Sequence, residues 1–434
     1  MDYLFKKVRA ITMDEGAPQL ENAFVGVSGG DIVYISSEEP KERALKTINC
    51  EGKLMLPGFI NAHCHIAAVS MRGYADDMAL HPWLYEKIFP AEARLDRRAV
   101  RASSLLGMAE LIRNGVTTSA DMYFHIAETA AAALECGLNL NTCNALVEFD
   151  DENADFAKDR SYTDSLEVLR DYHMAAGGQI RLDASIHAEY TSGPRGWAFE
   201  VEFAQKHGFG MQLHLSETER EQRECLERRG KTPAAALDEY GVFDLRCAAA
   251  HCVWLSEQDR ALLAEKGVAA VYNPVSNLKL ASGIADISAL KRAGVRVALG
   301  TDGASSNNSY DLISEMKTGA LLQKALSGSP ETLPAREALK MATVEGAYAL
   351  GREKERGSIK TGLRADLILL DMNSPSLAPC YDPCSAAVYS ARGADVCFTM
   401  ANGKVLYDGE LRTIDLERVI YEVNSYVKPL VEGR

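Results

Sequence analysis

Between residues 58 and 303 the chain alternates short β-rich runs, each ending in polar residues, with segments of helical pattern. Helix-like segments such as "RRAVRASSLLGMAELIRNG" separate the runs, and several of them close on glycine, a common helix stop. Eight strands alternating with helices predict an α/β fold, a TIM-like (β/α)8 barrel with its active site at the C-terminal strand ends. The runs are 58–65, 115–124, 138–146, 180–188, 209–216, 247–254, 267–274 and 295–303.

The two ends of the chain carry a different pattern, with strand and turn signals but no comparable helices. The stretches "AFVGVSGGDIVYI" and "VCFTMANGKVLYDGEL" contain β-type runs and hairpin-type turn residues. We therefore expect both ends to build one small β-sandwich. The expected domains are residues 1–57 and 355–434 as the two parts of this sandwich, and residues 58–354 as the barrel.

The composition is that of a folded protein without a nucleic-acid or membrane partner. Of the 434 residues 47% are apolar, and the net charge of −14 opposes binding to nucleic acid or to an anionic membrane. The start lacks the apolar core of a signal peptide and no run of about 18 apolar residues occurs, so we expect a cytoplasmic protein. The ten scattered cysteines resemble buried small side chains more than a disulfide framework.

Five of the nine histidines fall at the ends of predicted strands. Each alone has an ordinary interpretation as a hydrogen-bonded core side chain, but the strand ends of a barrel converge. Three imidazoles and a carboxylate suit a catalytic divalent ion with an open position for water, with zinc as first choice and ferrous iron fitting nearly as well. The polar side chains at or just beyond these ends are His63, His65, His187, His214, Glu217, His251 and Asp302.

The stretches "LPGFINAHCH", "HLSETEREQ", "HCVW", "NPVSNLKLASG" and "GTDGASSNNSYDLISEM" together resemble the amidohydrolase superfamily. Within it they are similar to the branch of adenosine, 5′-methylthioadenosine and S-adenosylhomocysteine deaminases, which also includes s-triazine hydrolases. The resemblance covers nearly the whole chain. It implies a metal-dependent aminohydrolase that converts an adenine nucleoside to its inosine counterpart and releases ammonia.

The resemblance implies a role for each of these side chains. Glu217 would protonate the ring nitrogen, Asp302 would accept the proton of the attacking water, and His251 would stabilise the developing oxyanion. One metal ion per chain is expected, because "ASIHAEY" in the fourth run offers no lysine for a second. The implied metal ligands are His63, His65, His214 and Asp302.

Other residues are implied to contact the substrate. In the family pattern a tryptophan lines the nucleoside pocket, and a glutamate that binds the ribose hydroxyls separates a nucleoside site from a free-base or triazine site. The ordinary alternatives are core packing for the tryptophan and a helix N-cap for the serine. The implied substrate-binding residues are Trp83, Glu92, Asn144, His187 and Ser306.

The residues expected around the 5′ side of the nucleoside depart from the family pattern. Members that deaminate S-adenosylhomocysteine well resemble one another in carrying two arginines for its carboxylate. Here Asn144 stands at the first position, and the second falls at or beside Ser161, with Arg160 displaced by about one residue. We therefore expect adenosine, 5′-deoxyadenosine and 5′-methylthioadenosine to be preferred over S-adenosylhomocysteine.

Two alternatives to this function stay open. An aminohydrolase or chlorohydrolase on the same scaffold could act on a guanine-like base or an s-triazine, although Glu92 argues against it. A non-catalytic scaffold protein with this fold would be expected to lose metal ligands, and none is missing. The expected partner is a small nucleoside, with homo-oligomerisation left open.

Overall fold

The computed structural model describes residues 1–434 and contains seventeen strands. Each of the eight predicted runs contains a strand, and the fourth run holds two short strands separated by Asp183. The strands are β1 (Tyr3–Ile11), β2 (Gln19–Ser28), β3 (Asp31–Ser36), β4 (Lys46–Asn49), β5 (Lys53–Pro57), β6 (Phe59–Asn61), β7 (Val116–Met122), β8 (Asn139–Cys143), β9 (Ile180–Leu182), β10 (Ala184–Ser185), β11 (Met211–Leu215), β12 (Cys247–His251), β13 (Ala269–Tyr272), β14 (Arg296–Leu299), β15 (Leu367–Asp371), β16 (Val396–Ala401) and β17 (Lys404–Tyr407).

Helices connect the strands of the central part, as their apolar spacing and capping residues predict. Asp96, for example, accepts a hydrogen bond from the Ala99 N–H and so caps the longest helix. None of the helices combines the length and the apolar content that crossing a membrane requires. The α-helices of six residues or more are Arg97–Arg113, Ile126–Cys136, Arg160–Asp171, Pro194–His207, Glu219–Arg229, Pro233–Asp238, Glu257–Glu265, Pro274–Lys279, Ile287–Ala293, Leu312–Ser327, Ala335–Met341, Val344–Ala349 and Leu416–Glu422.

The central strands form two parallel sheets, ordered β6-β7-β8-β9 and β10-β11-β12-β13-β14. The sheets adjoin at Asp183, where the fourth run is interrupted. At the other side, the Ala62 N–H donates to the Leu299 carbonyl at 3.0 Å, just after β6 and at the end of β14. Because every pair is parallel, the carboxyl ends of these strands lie at one edge.

The two ends of the chain, predicted to build one β-sandwich, share one eight-stranded sheet. Its order is β17-β16-β15-β5-β1-β2-β3, with β4 paired to β1. Phe5, Val25 and Met55 from the start pack with Leu367 and Phe398 from the end in one hydrophobic cluster. All ten cysteines are free thiols and eight of them are buried, as the composition indicates.

The C-terminal flank also contains a helical stretch that the sequence analysis did not expect. Residues 416–432 are helical without interruption, and Val423 and Val427 belong to the same hydrophobic cluster as Trp83 and Ile88. A direct contact joins the Arg94 side chain to the carbonyl of Leu430 at 2.7 Å. The C-terminus therefore supports residues 80–92, a helical segment that follows the first barrel strand.

Candidate active site

Five polar side chains from four strand ends meet at the carboxyl edge of the parallel sheets. His63 and His65 follow β6, His214 lies in β11, His251 ends β12 and Asp302 follows β14. The Nε2 atoms of His63 and His65 lie 3.4 and 3.1 Å from Asp302 Oδ1. The Nε2 atoms of His214 and His65 are 3.3 Å apart. The two histidines of the H-x-H pair converge although they lie just beyond the strand rather than on it.

Local contacts hold the loop after β14 against the end of β6. Asn61 Nδ2 donates to Thr301 Oγ1 at 2.8 Å, and Asn61 Oδ1 accepts from the Thr301 N–H at 3.0 Å. The Asp302 N–H donates to the His63 carbonyl at 3.1 Å. A Cβ atom on Gly300 would lie 2.9 Å from that carbonyl oxygen, so the close approach requires glycine. These contacts place the Asp302 carboxylate between the histidines.

The ring nitrogens are arranged as metal ligands would be. His65 Nδ1 lies 2.5 Å from the Met122 carbonyl, and His214 Nδ1 lies 2.8 Å from the His187 carbonyl. Donation to these carbonyls leaves the lone pair of each ring on Nε2, which faces the cluster. His63 Nε2 is buried without a hydrogen-bond partner. The chemistry of this donor set therefore fits a divalent ion such as zinc or ferrous iron.

Burial keeps most of these rings neutral, as metal ligation requires. It lowers the pKa of His63 and of His251 to about 4, and with neighbouring histidine charges it holds the pKa of His214 well below its usual value. For His65, hydrogen bonding and attraction to Asp302 outweigh burial and raise the pKa to about 9. A divalent ion would displace that proton on binding, since ligation needs the neutral ring.

His251 has a hydrogen-bonding pattern different from that of the other histidines. Its ligand atom belongs to a group with His63, His214 and Asp302 whose atoms lie within 4.8 Å of one another. Asn277 Nδ2, however, lies 2.9 Å from His251 Nδ1. Donation from this amide leaves the ring proton on Nε2, which suits a hydrogen bond to an oxygen better than ligation.

Glu217 lies beside the cluster, two residues after the end of β11. Its Oε1 accepts a hydrogen bond from Ser282 Oγ at 2.9 Å, and its Oε2 lies 3.8 Å from His251 Nε2. Burial and the charge of Asp302 raise the pKa of Glu217 to about 8, although the Ser282 hydrogen bond lowers it. Its carboxyl group is therefore largely protonated at pH 7, as a proton donor needs to be.

A cavity of about 390 Å³ opens onto these groups, and 15 of its 27 lining residues are hydrophobic. Four of the five predicted substrate residues line it: Trp83, Glu92, Asn144 and His187. The indole nitrogen of Trp83 is buried without a partner in the protein. Burial raises the pKa of Glu92 to about 7. The Asn144 side chain donates to Asp164 Oδ2 at 3.0 Å.

Ser306, the fifth predicted substrate residue, does not line the cavity. It is only 1% exposed, and its hydroxyl donates to Asp302 Oδ2 at 2.7 Å. Ser276 Oγ donates to the same oxygen at 2.6 Å, which leaves Oδ1 facing the histidines. The short helix Ala304–Asn307 turns the preceding side chain, Ser305, toward the cavity instead. The structure therefore places Ser306 in support of Asp302.

The sequence analysis missed several residues of the cavity wall, because no spacing rule identifies them. They lie in the segments that follow the strand ends, and most are apolar or aromatic. Arg160, which the sequence left displaced from the family position, also lines the cavity, with its guanidinium 4.9 Å from the ring centre of Phe124. The missed lining residues include Leu84, Phe124, Val147, Phe149, Tyr190 and Leu280.

Comparison with known proteins gives full-length matches. A 5-methylthioadenosine/S-adenosylhomocysteine deaminase of Caldanaerobacter subterraneus subsp. tengcongensis is 41% identical, covering 100% of this chain and 99% of the relative. A 5′-deoxyadenosine deaminase of Methanosarcina acetivorans is 42% identical, covering 99% and 98%. The crystal structure of an adenosine deaminase from Xanthomonas campestris with bound zinc has a TM-score of 0.92 and 30% identity, covering 100% and 99%.

The family comparison agrees with the resemblance seen in the motifs. The amidohydrolase family model matches residues 54–406, which include every strand of the two parallel sheets and every residue of the histidine cluster. With the full-length relatives and the arrangement of four histidines around one aspartate, this match shows that the chain belongs to the amidohydrolase family.

Proposed function

We propose that the protein is a metal-dependent aminohydrolase that deaminates an adenine nucleoside to its inosine counterpart. One observation carries the proposal: a buried cluster of histidines and Asp302 lies beside Glu217, whose pKa burial raises, and both face a largely apolar cavity that also presents Glu92. The names of the full-length relatives point the same way. The proposed substrates are adenosine, 5′-deoxyadenosine and 5′-methylthioadenosine, with S-adenosylhomocysteine less favoured.

Four side chains would hold one divalent ion, with zinc as first choice and ferrous iron as the alternative. When bound, such an ion supplies Lewis-acid activation of water, whose pKa it lowers from about 15.7 toward about 7. The free Nε2 atoms and Asp302 Oδ1 support this assignment, and the protonated Nε2 of His251 argues for leaving His251 out. The proposed ligands are His63, His65, His214 and Asp302.

The remaining steps belong to the chain's own groups. Asp302 accepts the proton of the attacking water, and Glu217 delivers a proton to the ring nitrogen beside the carbon under attack. The His251 Nε2–H donates a hydrogen bond to the oxygen that becomes negative. Protonation of the ring keeps charge from building up on it. The proton held by Asp302 then passes to the amino group, which leaves as ammonia, and the hydroxyl proton of the adduct returns to Glu217.

The rest of the cavity would hold the nucleoside. Trp83 offers an aromatic face and an unpaired N–H, and Glu92 offers acceptors for the ribose hydroxyls. His187, whose ring centre lies 4.7 Å from that of His214, would contact the base side. Asn144 and Arg160 would lie toward the 5′ group. Ser306 would act through Asp302 rather than through the substrate.

The architecture we propose around this site is one barrel with one accessory unit. Residues 58–354 would form a closed (β/α)8 barrel, supported by the junctions at Asp183 and between Ala62 and Leu299. Residues 1–57 and 355–434 would form a β-sandwich built around their shared sheet. The terminal helical stretch would then be an addition to the second part of that unit.

The test is ammonia release by the purified protein, with metal analysis of the same sample. We expect about one divalent ion per chain and turnover of adenosine and its uncharged 5′-modified forms, with little from guanine, cytosine or melamine. Preferred turnover of guanine or melamine would replace the proposal by the free-base or triazine alternative. A preparation without stoichiometric metal and without turnover on any of these would favour a scaffold protein.

A further inference from the structure

Glu221 is a buried carboxylate close to the site for which the proposed reaction has no use. It is 3% exposed, although it belongs to the otherwise strongly charged helix Glu219–Arg229. Its Oε1 accepts the Ser216 N–H and its Oε2 accepts the Glu217 N–H, both at 2.8 Å. One side chain thus binds the backbone of Glu217 and of the residue before it.

The backbone that Glu221 binds has an unusual conformation. Ser216 has φ +50°, in the left-handed region that residues other than glycine, asparagine and aspartate rarely adopt. The pattern T-x-x-E at Thr218 would suggest a capping box, in which the glutamate reaches back to the Thr218 N–H. Thr218 Oγ1 does accept from the Glu221 N–H at 3.2 Å. The Glu221 carboxylate reaches past Thr218, however, to the two preceding N–H groups.

Ser282 holds the other end of Glu217. Its hydroxyl donates to Glu217 Oε1 at 2.9 Å, and its own N–H donates to the Asn277 carbonyl at 2.9 Å. Trp254 Nε1 donates to the Ser282 carbonyl at 2.6 Å. The backbone of Ser282 is therefore held at both its N–H and its carbonyl. With one oxygen bound by Ser282, the Glu217 carboxyl group has only Oε2 facing His251 Nε2, at 3.8 Å.

We propose that Glu221 and Ser282 are positioning residues that together fix Glu217 for proton transfer, Glu221 through its backbone and Ser282 through its carboxyl group. The inference rests on the proposed role of Glu217 as the proton donor. Neither residue lines the cavity, so neither has a direct contact with the substrate. Their effect should therefore appear in the chemical step and leave substrate binding and metal binding largely intact.

The first variant is Glu221→Gln, which keeps the shape of the side chain but turns one acceptor oxygen into an N–H₂ group. That group would face the N–H of Ser216 or of Glu217, so one of these two backbone groups loses its hydrogen bond. Because a displacement of about 1 Å can cost a factor of about 10², we expect kcat to fall by roughly 10- to 100-fold. KM should stay within about threefold, and the metal content should not change.

The second variant, Ser282→Ala, removes only the hydroxyl that binds Glu217 Oε1. We expect kcat to fall by roughly 3- to 30-fold, again with little change in KM. The variant keeps the Glu217 carboxyl group and loses only the neutral hydrogen bond that orients it. This variant decides the question by itself if Glu221→Gln does not fold.

The matched control is Glu200→Gln, an equal change at a buried glutamate, 3% exposed, in the helix Pro194–His207 and outside the cavity wall. It should leave kcat and KM unchanged. Each of the two test variants is also made in a Glu217→Gln background. We call Glu221 and Ser282 together the clamp. If the clamp acts only through Glu217, neither change should lower the residual kcat further, whereas a general structural defect would lower it again.

The outcomes separate this inference from the proposed function. A Glu217→Gln protein with full activity overturns the proposed role of Glu217 itself. If Glu217→Gln is nearly inactive while Glu221→Gln and Ser282→Ala keep normal kcat, the proposed function stands and the clamp is wrong. Loss of metal, a parallel rise in KM, or full additivity with Glu217→Gln would also overturn the clamp, because each points to a structural role.

Discussion

At the scale of single residues, the site depends on where each imidazole carries its proton. Backbone carbonyls of Met122 and His187 fix the protons of His65 and His214 on Nδ1, so their Nε2 atoms stay free. The Asn277 amide has the opposite effect on His251. Under the proposed assignment, identical side chains would divide into ligands and a hydrogen-bond donor, a division that depends on their neighbours rather than on residue type.

The assignment of His214 as a ligand predicts the result of removing its ring. His214→Ala should abolish both metal retention and turnover, because three remaining ligands hold a catalytic ion far more weakly. Metal analysis and ammonia release measure the two effects. His207→Ala, at an exposed histidine in a neighbouring helix, should keep both. Full activity of His214→Ala would remove this residue from the ligand set.

The assignment of Glu217 predicts a different pattern. Glu217→Gln should keep the metal ion yet lose a factor of roughly 10²–10⁴ in kcat, the usual contribution of a positioned proton donor. The isosteric amide leaves the cavity shape and the Ser282 contact site in place, so KM should change little. Steady-state kinetics with metal analysis of the same samples tests this. Release of the ion from this variant would instead make Glu217 a ligand.

At the scale of elements, segments beyond the strand ends form much of the cavity wall. The helical segment 80–92 contributes Trp83 and Glu92 to one wall. It shares a hydrophobic cluster with Val423 and Val427 of the C-terminal helix. The segment after β8 contributes apolar side chains and Arg160 to another wall. The strand ends and the residues just after them thus carry the predicted reacting groups, while loops and short helices surround the cavity.

The segment after β8 predicts how the 5′ substituent affects turnover. Arg160 is the one arginine of the cavity wall, and its side chain is 52% exposed with Nε 3.8 Å from Asp164 Oδ2. A single arginine, partly neutralised, gives at most one charge-assisted contact of about 1.5–3 kcal/mol. We expect 5′-methylthioadenosine and 5′-deoxyadenosine to have higher kcat/KM than S-adenosylhomocysteine.

Arg160→Ala should then lower kcat/KM for S-adenosylhomocysteine by roughly 10- to 100-fold and leave that for 5′-deoxyadenosine within about twofold. Lys158→Ala is the matched control, since it removes an equal charge from the same segment at an 84% exposed side chain. If the wild-type enzyme turns over S-adenosylhomocysteine as well as 5′-methylthioadenosine, the expected preference is wrong. An equal loss on both substrates would mean that Arg160 acts on the fold.

At the scale of the whole molecule, Asp183 joins elements from both parallel sheets. Its carboxylate accepts hydrogen bonds from Asn141 at 2.9 Å, Gln212 at 3.0 Å and the Gly210 N–H at 3.2 Å, and it pairs with Arg246. Burial alone would raise the pKa of Asp183, but the Arg246 charge and these hydrogen bonds hold it below its usual value. The ionised form therefore stabilises the fold.

Asp183→Asn should destabilise the protein at pH 7 by about 2–4 kcal/mol, because it leaves Arg246 without its partner. A carboxyl group with a lowered folded-state pKa contributes stability above its unfolded-state pKa, about 3.9 for aspartate. The difference in melting temperature between wild type and variant should therefore stay constant from pH 8 to about pH 5 and shrink at lower pH. Equal melting temperatures at pH 7 would contradict this role.

The sequence by itself determined where the central strands lie along the chain and which polar side chains lie at their ends. Alternation of apolar runs with helices located all eight central strands, and the polar residues at their ends identified the histidine cluster and Asp302. The helix at the C-terminus was missed although its apolar residues Val419, Val423 and Val427 follow helical spacing. Such local patterns arise because each element must turn its apolar side chains toward a core.

Only the tertiary structure decided which side chains act together. Ser282 and Glu217 are 65 residues apart, and Asn61 and Thr301 are 240 apart, so no local pattern links them. Likewise, Ser305 and Ser306 are neighbours in sequence, yet one faces the cavity and the other binds Asp302. The physical reason is that direction and hydrogen bonding are set by packing between elements, whereas hydrophobic periodicity reports only which face of an element is buried.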